Sequence, residues 1–214
     1  MSLPAAFHDI AKRVNNWGRW GADDEIGTLN LITDEVVREA AATVRTGRRV
    51  PLALPLRQDG VQTGMMPGRV NPLHAMVQIN QEIFGPGTVA CSDDAVTMGL
   101  QAATHWDALT HVSHSGKLYN GREVAKTFSG NGATWGSIYA QKNGIFTRGG
   151  LLDVAAARGI DWYEKDEYVT VADFEAAEAR QKLKGGSGDA IFVRTGMEAM
   201  EAKLGEQDVY PRAG

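Results

Sequence analysis

Hydrophobic residues in this chain fall in short runs separated by glycine and proline, and the spacing inside each run sets the element it predicts. Thr33 as a cap, Asp34 and Glu35 in the first turn and Gly47 past the end predict a helix over residues 34–46. Pro51 and Pro55 exclude helix over residues 50–56, which read as an extended edge segment. Residues 73–79 and 95–103 read as strands, the second leading directly into a polar stretch that carries two histidines and an aspartate. A further strand is expected over residues 150–155. Thr170 and Asp173 form a capping box for a helix through about Lys184, and residues 185–188 turn the chain into a strand over 190–194. Helices and strands are mixed without a regular βαβ alternation, so the expected fold is α/β or α+β with a mixed sheet.

Composition narrows the partners. With 214 residues and a 43% hydrophobic fraction the chain can bury one sizeable core, and a single domain over residues 1–214 is expected. Twenty-six acidic against 22 basic residues give a formal charge of −4, which offers no electrostatic case for nucleic acid and leaves a small-molecule substrate as the better partner. Cys91 is the only cysteine, which excludes an internal disulfide and a Cys-rich zinc site and favours a reducing compartment. The first residues lack the basic and apolar regions of an export leader, and no apolar run approaches the roughly 20 residues of a membrane helix; a cytoplasmic location is expected.

Candidate chemistry is concentrated in Thr104-His105-Trp106-Asp107-Ala108-Leu109-Thr110-His111. In an extended segment alternate side chains share a face, so His105, Asp107 and His111 would point together, with Gln101 on the same side. Imidazole nitrogen and carboxylate oxygen together suit Zn, Mn, Fe or Ni. A lone His-x-Asp is more often a surface pair or a hydrogen-bonded turn, and it is the added His111 and the preceding apolar run that favour a metal site. On the same alternation Trp106 would face the core. His114 lies in Ser113-His114-Ser115-Gly116, which reads as a polar turn. His8 and His74 have no partner pattern, Cys91 reads as a small buried residue, and residues 185–188 lack the Lys-Ser or Lys-Thr of a phosphate loop.

These residues resemble the signature of the cyclase family of metal-dependent hydrolases, which includes bacterial kynurenine formamidase and isatin hydrolase, with the pattern His-x-Gly-Thr-His-x-Asp-x-Pro-x-His. The segment from Trp20 to Asn30 is similar to the opening of the larger bacterial members, as are Gly116 to Gly121 after the motif and Gly149 to Val154 and Gly188 to Gly196 later. The resemblance implies a swivelling β/β/α domain assembled as homodimers or homotetramers. It makes His105 and Asp107 metal ligands, places Gln101 where the family has its first ligand histidine, and makes His111 the proton-transfer residue. An amide oxygen is a weaker ligand than imidazole. Ala103 and Leu109 replace the usual Gly and Pro. Relatives of the larger type continue into a portion with a further His and Glu at the metal site, whereas no His follows His114 here, so the chain is expected to lack a C-terminal portion. Glu164 and Asp166 are acidic replacements without a motif behind them.

The implied activity is arylformamidase-like hydrolysis of a C–N bond in a small amide, formamide or lactam, with a divalent cofactor, Zn or Mn, and His111 as the shuttle. Trp106 or Trp135 could line an aryl pocket. The alternatives are a metal-binding scaffold without turnover and a cyclase or dehydratase that uses the same ion as a Lewis acid.

Overall fold

The computed structural model describes residues 4–62, 64, 66–164 and 166–204. Helix α1 (Ala5–Val14) follows Pro4, carries Lys12 and Arg13 in its last turn and buries none of its residues. The chain then runs through loops and a short 3₁₀ turn (Gly27–Leu31) into α2 (Asp34–Ala42). Thr33 caps α2 as expected, its hydroxyl accepting from Val36 N at 3.3 Å. The helix stops before residue 46 because Thr43 closes it: its hydroxyl donates to the Ala40 carbonyl at 2.7 Å and its backbone N–H turns back to Ala40 and Ala41. Residues 50–56 form no helix and pair with no strand among the described residues; Leu54 N instead donates to the Thr104 hydroxyl at 2.9 Å.

Strands β1 (Leu73–Glu82) and β2 (Ala90–Thr97) form an antiparallel hairpin with two register shifts. The sequence expectation of a strand over 95–103 fails at its second half. β2 ends at Thr97, and the backbone then folds through a turn in which Ala102 N donates to Gly99 O at 3.0 Å. A 3₁₀ turn over Leu109–His111 follows. Helix α3 (Val124–Thr127) leads into a small hairpin of β3 (Phe128–Ser129) and β4 (Gly132–Ala133).

The main core is built by the last third of the chain. Strand β5 (Gly149–Asp153) is followed at once by α4 (Val154–Arg158), because Asp153 caps that helix through Ala156 N at 3.0 Å. This ends the expected strand two residues early and puts Val154 and Ala155 in a buried helical turn. Helix α5 (Val171–Gln181) starts at the anticipated capping box and closes with Lys182 in a left-handed conformation, short of Lys184. Strand β6 (Ala190–Arg194) returns parallel to β5, and α6 (Met197–Leu204) follows. A parallel pair requires such a crossover; α4 and α5 supply it, and they seal Leu152, Val154, Ala155, Tyr163 and Ala177 into one cluster. Beneath α5, the Arg158 guanidinium donates twice to Asp173, at 2.6 and 2.8 Å.

The content is α/β, but the strands of the described residues pair as three separate two-stranded sheets rather than as one mixed sheet. No described helix is long and apolar enough to cross a membrane.

Candidate functional site

The turn after β2 and the 3₁₀ turn at Leu109–His111 bend the histidine segment around a small cavity of about 190 Å³. Gln101, His105, Asp107 and His111 all line it, so the four polar residues singled out from the sequence share one pocket. They share it because the loop curls. Strand alternation is not the cause, and the corollary for Trp106 fails with it: this indole lines the same cavity and is 53% exposed. Phe128 and Ala133 from the β3–β4 hairpin, together with Leu100 and Ile138, complete a mostly apolar wall to which Ser137 adds a hydroxyl. Sequence reasoning missed Phe128, Ser137 and Ile138. The brief β3–β4 hairpin carries no periodic signal, and only its glycines, Gly130 and Gly132, hint at a turn there.

Hydrogen bonds fix the polar residues. Asp107 Oδ1 accepts from His111 Nδ1 and, at 3.0 Å, from Ala108 N. Burial pushes the Asp107 carboxyl up, but the His111 hydrogen bond, the Ala108 N–H and the positive potential of His111 and His105 outweigh it and hold the group below its ordinary value. Gln101 reaches the same ring nitrogen, with Nε2 at 3.2 Å from His111 Nδ1. One nitrogen cannot donate to Asp107 and accept from Gln101 at once, and the ionised carboxylate is the stronger partner. His111 thus keeps the tautomer with Nδ1–H facing Asp107 and a bare Nε2. His105 is oriented in the same manner, Nδ1 donating to the Ala103 carbonyl at 2.8 Å and leaving Nε2 as a lone-pair donor.

A metal must be judged on these donors. Among the described residues no three His, Cys, Asp or Glu side chains form a group that could hold an ion by themselves. The chemistry still suits a divalent cation held by fewer strong donors. His105 has the outer hydrogen bond typical of ligating histidines, Asp107 retains Oδ2, and the Gln101 amide oxygen is a third, weaker donor in the pocket.

The other histidines lie elsewhere. His114 sits in the expected turn, bridged to Lys117, with its ring 5.9 Å from that of His8. His74 pairs with Asp94 at 2.7 Å on the β1–β2 hairpin. Trp135 does not line the pocket; it stacks on Tyr119 at 6.3 Å with the Arg122 guanidinium over its ring. Glu164 accepts from Trp162 Nε1 at 2.7 Å, and neither it nor Asp166 lines the cavity.

Behind the pocket, the Trp20–Asn30 segment holds the loops that carry it. Asp24 accepts from Gly27 N at 2.8 Å, Asn30 Nδ2 at 2.6 Å and Tyr119 Oη at 2.9 Å. Asp23 pairs with Arg122 at 2.6 Å, and Glu25 accepts from Gly136 N at 2.6 Å.

Comparison with known proteins bears on the whole chain. A family model described as "putative cyclase" matches residues 8–213. A crystal structure of a novel cyclase superposes with a TM-score of 0.84 at 33% sequence identity, covering 95% of this chain and 70% of that one. No curated protein matches.

Proposed function

The chain belongs to the cyclase family, and from that premise we propose that it hydrolyses a C–N bond in a small amide, formamide or lactam at the His105–His111 pocket. The observation that supports this reading above the others is the Asp107–His111 pair at the mouth of an apolar, partly aromatic cavity. Asp107 holds Nδ1–H and stabilises the ring when it gains a proton, so Nε2 is the atom that takes a proton from water and returns it to the leaving nitrogen. The balance is that of a hydrolysis: the hydroxyl of water goes to the carbonyl carbon, its proton goes by way of His111 to nitrogen, and a carboxylic acid and an amine leave. Trp106 and Phe128 give an aryl group a surface on which to lie. His105, Asp107 and Gln101 are the residues that would hold the ion, Gln101 by turning its amide oxygen inward. A bound Zn or Mn ion would supply Lewis-acid polarisation of the carbonyl and of water.

The test is metal content by elemental mass spectrometry, beside turnover of aryl formamides and lactams. Asp107→Ala is expected to lose the metal. His111→Ala is expected to retain it and to lose about 10²- to 10⁴-fold in kcat, the usual worth of a positioned acid–base group. Unchanged activity in both variants overturns the reading.

A scaffold that binds metal without turnover is the second reading, favoured by Gln101 and by the lack of three strong donors. It requires bound metal and no product from any amide, lactam or lactone. A cyclase or dehydratase would place no solvent oxygen in its product, whereas hydrolysis in ¹⁸O-labelled water places one.

A further inference from the structure

We propose that Glu25 is a positioning residue for the His111–Asp107 pair, acting through the peptide of Gly136; this rests on the reading of the pocket as a catalytic centre. Glu25 belongs to a different part of the chain from the histidine segment. Its Oε2 accepts from Gly136 N at 2.6 Å across 111 residues of sequence. From the other side, the hydroxyl of Thr110 donates to Gly136 O at 3.3 Å. Thr110 is 3% exposed and immediately precedes His111, while Ser137 and Ile138, next after Gly136, form the pocket wall.

The geometry makes Gly136 a joint with both of its polar groups committed. Its φ of +64° is one that residues with a side chain rarely adopt, and a Cβ there would lie 3.1 Å from Thr110 Cγ2. A residue with a side chain would be strained at this φ and would press on the histidine turn. The joint is therefore held by hydrogen bonds to its backbone, and the stronger of the two is charge-assisted. Glu25 is itself fixed by its neighbours, since Asp24 and Asp23 tie the same stretch to Tyr119 and Arg122. Without an acceptor at position 25 the buried Gly136 N–H loses its partner, and the 136–138 wall and the Thr110–His111 turn are free to shift together.

The experiment compares Glu25→Ala, which removes the acceptor, with Glu25→Gln, whose amide oxygen can still accept, and with Thr110→Val, which cuts the joint from the other side. Kinetics on the best aryl formamide or lactam are read beside the downfield Nδ1 proton resonance of His111, which reports its bond to Asp107 without turnover. Glu25→Ala is expected to raise KM and lower kcat by about tenfold each, since small misplacements of reacting groups carry losses of this size, and to broaden or abolish the resonance. Glu25→Gln is expected to stay within about threefold of wild type on both constants and to keep the resonance. If Glu25→Ala does not fold, Thr110→Val takes its place, with the same losses expected.

Native kinetics with an unchanged resonance in Glu25→Ala, or in Thr110→Val where that variant stands in, overturn the proposal. So does a Glu25→Gln variant as impaired as Glu25→Ala, which would assign the effect to charge rather than to the Gly136 bond. A wild-type protein inactive on every substrate, whose resonance is lost in Glu25→Ala and kept in Glu25→Gln, overturns the hydrolase reading and leaves the positioning role standing.

Discussion

Tyr119 shows how the chemistry of one residue reports on the loops around the pocket. Its hydroxyl is half-buried and donates to Asp24, and burial together with the Asp24 bond and charge raises it from an ordinary value of 10.0 to about 12. Burial alone would push Asp24 up, but the bonds from Asn30, Tyr119 and the Gly27 and Ile26 amides bring it below its ordinary value. The two shifts act at opposite ends of the pH scale. The raised tyrosine contributes stability that is fully present below pH 10.0 and is lost as the pH climbs through about 12. The depressed aspartate contributes stability present above its ordinary range and lost as pH falls through its lowered value. An ultraviolet titration of the folded protein should show a tyrosine ionising near 12, a step that Tyr119→Phe removes. If the step missing from Tyr119→Phe lies near the ordinary 10.0 instead, the Asp24–Tyr119 bond does not form in solution. This network lay partly open to sequence reading. The Trp20–Asn30 stretch stood out, yet nothing in it said that Asp23, Asp24 and Glu25 each take a partner about a hundred residues away. Long-range pairing of a carboxylate has no local pattern. Gln101, His105, Asp107 and His111 were legible because four polar side chains at close spacing beside an apolar run are rare. The alternation that aligns them applies only to a strand, which is why it points Trp106 toward the core whereas the curled loop brings the indole into the pocket.

Elements were read best where a cap, a matter of local chemistry, sets the boundary. Thr33, Thr170 and the turn before β6 start their elements where the sequence places them. The ends were read worse, because Thr43, Asp153 and Lys182 stop elements through hydrogen bonds or a left-handed residue that composition does not announce. At Thr170 the box is complete: the hydroxyl accepts from Asp173 N at 3.4 Å, and Asp173 Oδ2 returns to Thr170 N at 2.6 Å. Asp173 also takes the Arg158 guanidinium, so the cap fixes α5 against α4. The Arg158 bonds and the two bonds from Thr170 hold the Asp173 carboxyl far below its ordinary value. Thr170→Ala should therefore lower stability by about 1 kcal/mol, the usual worth of an N-cap, while Thr170→Ser should cost much less. Urea denaturation separates the two, and equal midpoints for Thr170→Ala and wild type would mean that Asp173 holds the helix start without the hydroxyl.

At the scale of the whole molecule the largest fact is surface. The chain exposes 15710 Å², whereas a compact monomer of its mass would expose about 9,700 Å². Many large apolar side chains lie on this surface. The β1–β2 hairpin buries none of its residues and carries Leu73, Val77, Ile79 and Phe84 outside, although a two-stranded hairpin has little stability alone. Leu151 of β5 and Phe192 and Val193 of β6 line a cavity of about 600 Å³. Large exposed apolar surfaces of this kind mark contacts with other protein surfaces. Even a large obligate dimer interface removes only about 2,500 Å² from each chain, so a surplus of about 6,000 Å² calls for more than one covered face. We propose that further copies of the chain cover part of this surface, as a homodimer or homotetramer, and light scattering after gel filtration should then give a mass at least twice 23.1 kDa. Placing a charge in the middle of the hairpin, as Ile79→Lys, should shift that mass downward and increase binding of a hydrophobic dye, because the faces left open then meet water. A 23.1 kDa monomer that binds no dye would show that the hairpin and the β5–β6 face fold back on their own chain in solution. A stable assembly unaffected by Ile79→Lys would move the contact from the hairpin to the β5–β6 face, where Phe192→Lys is the corresponding probe.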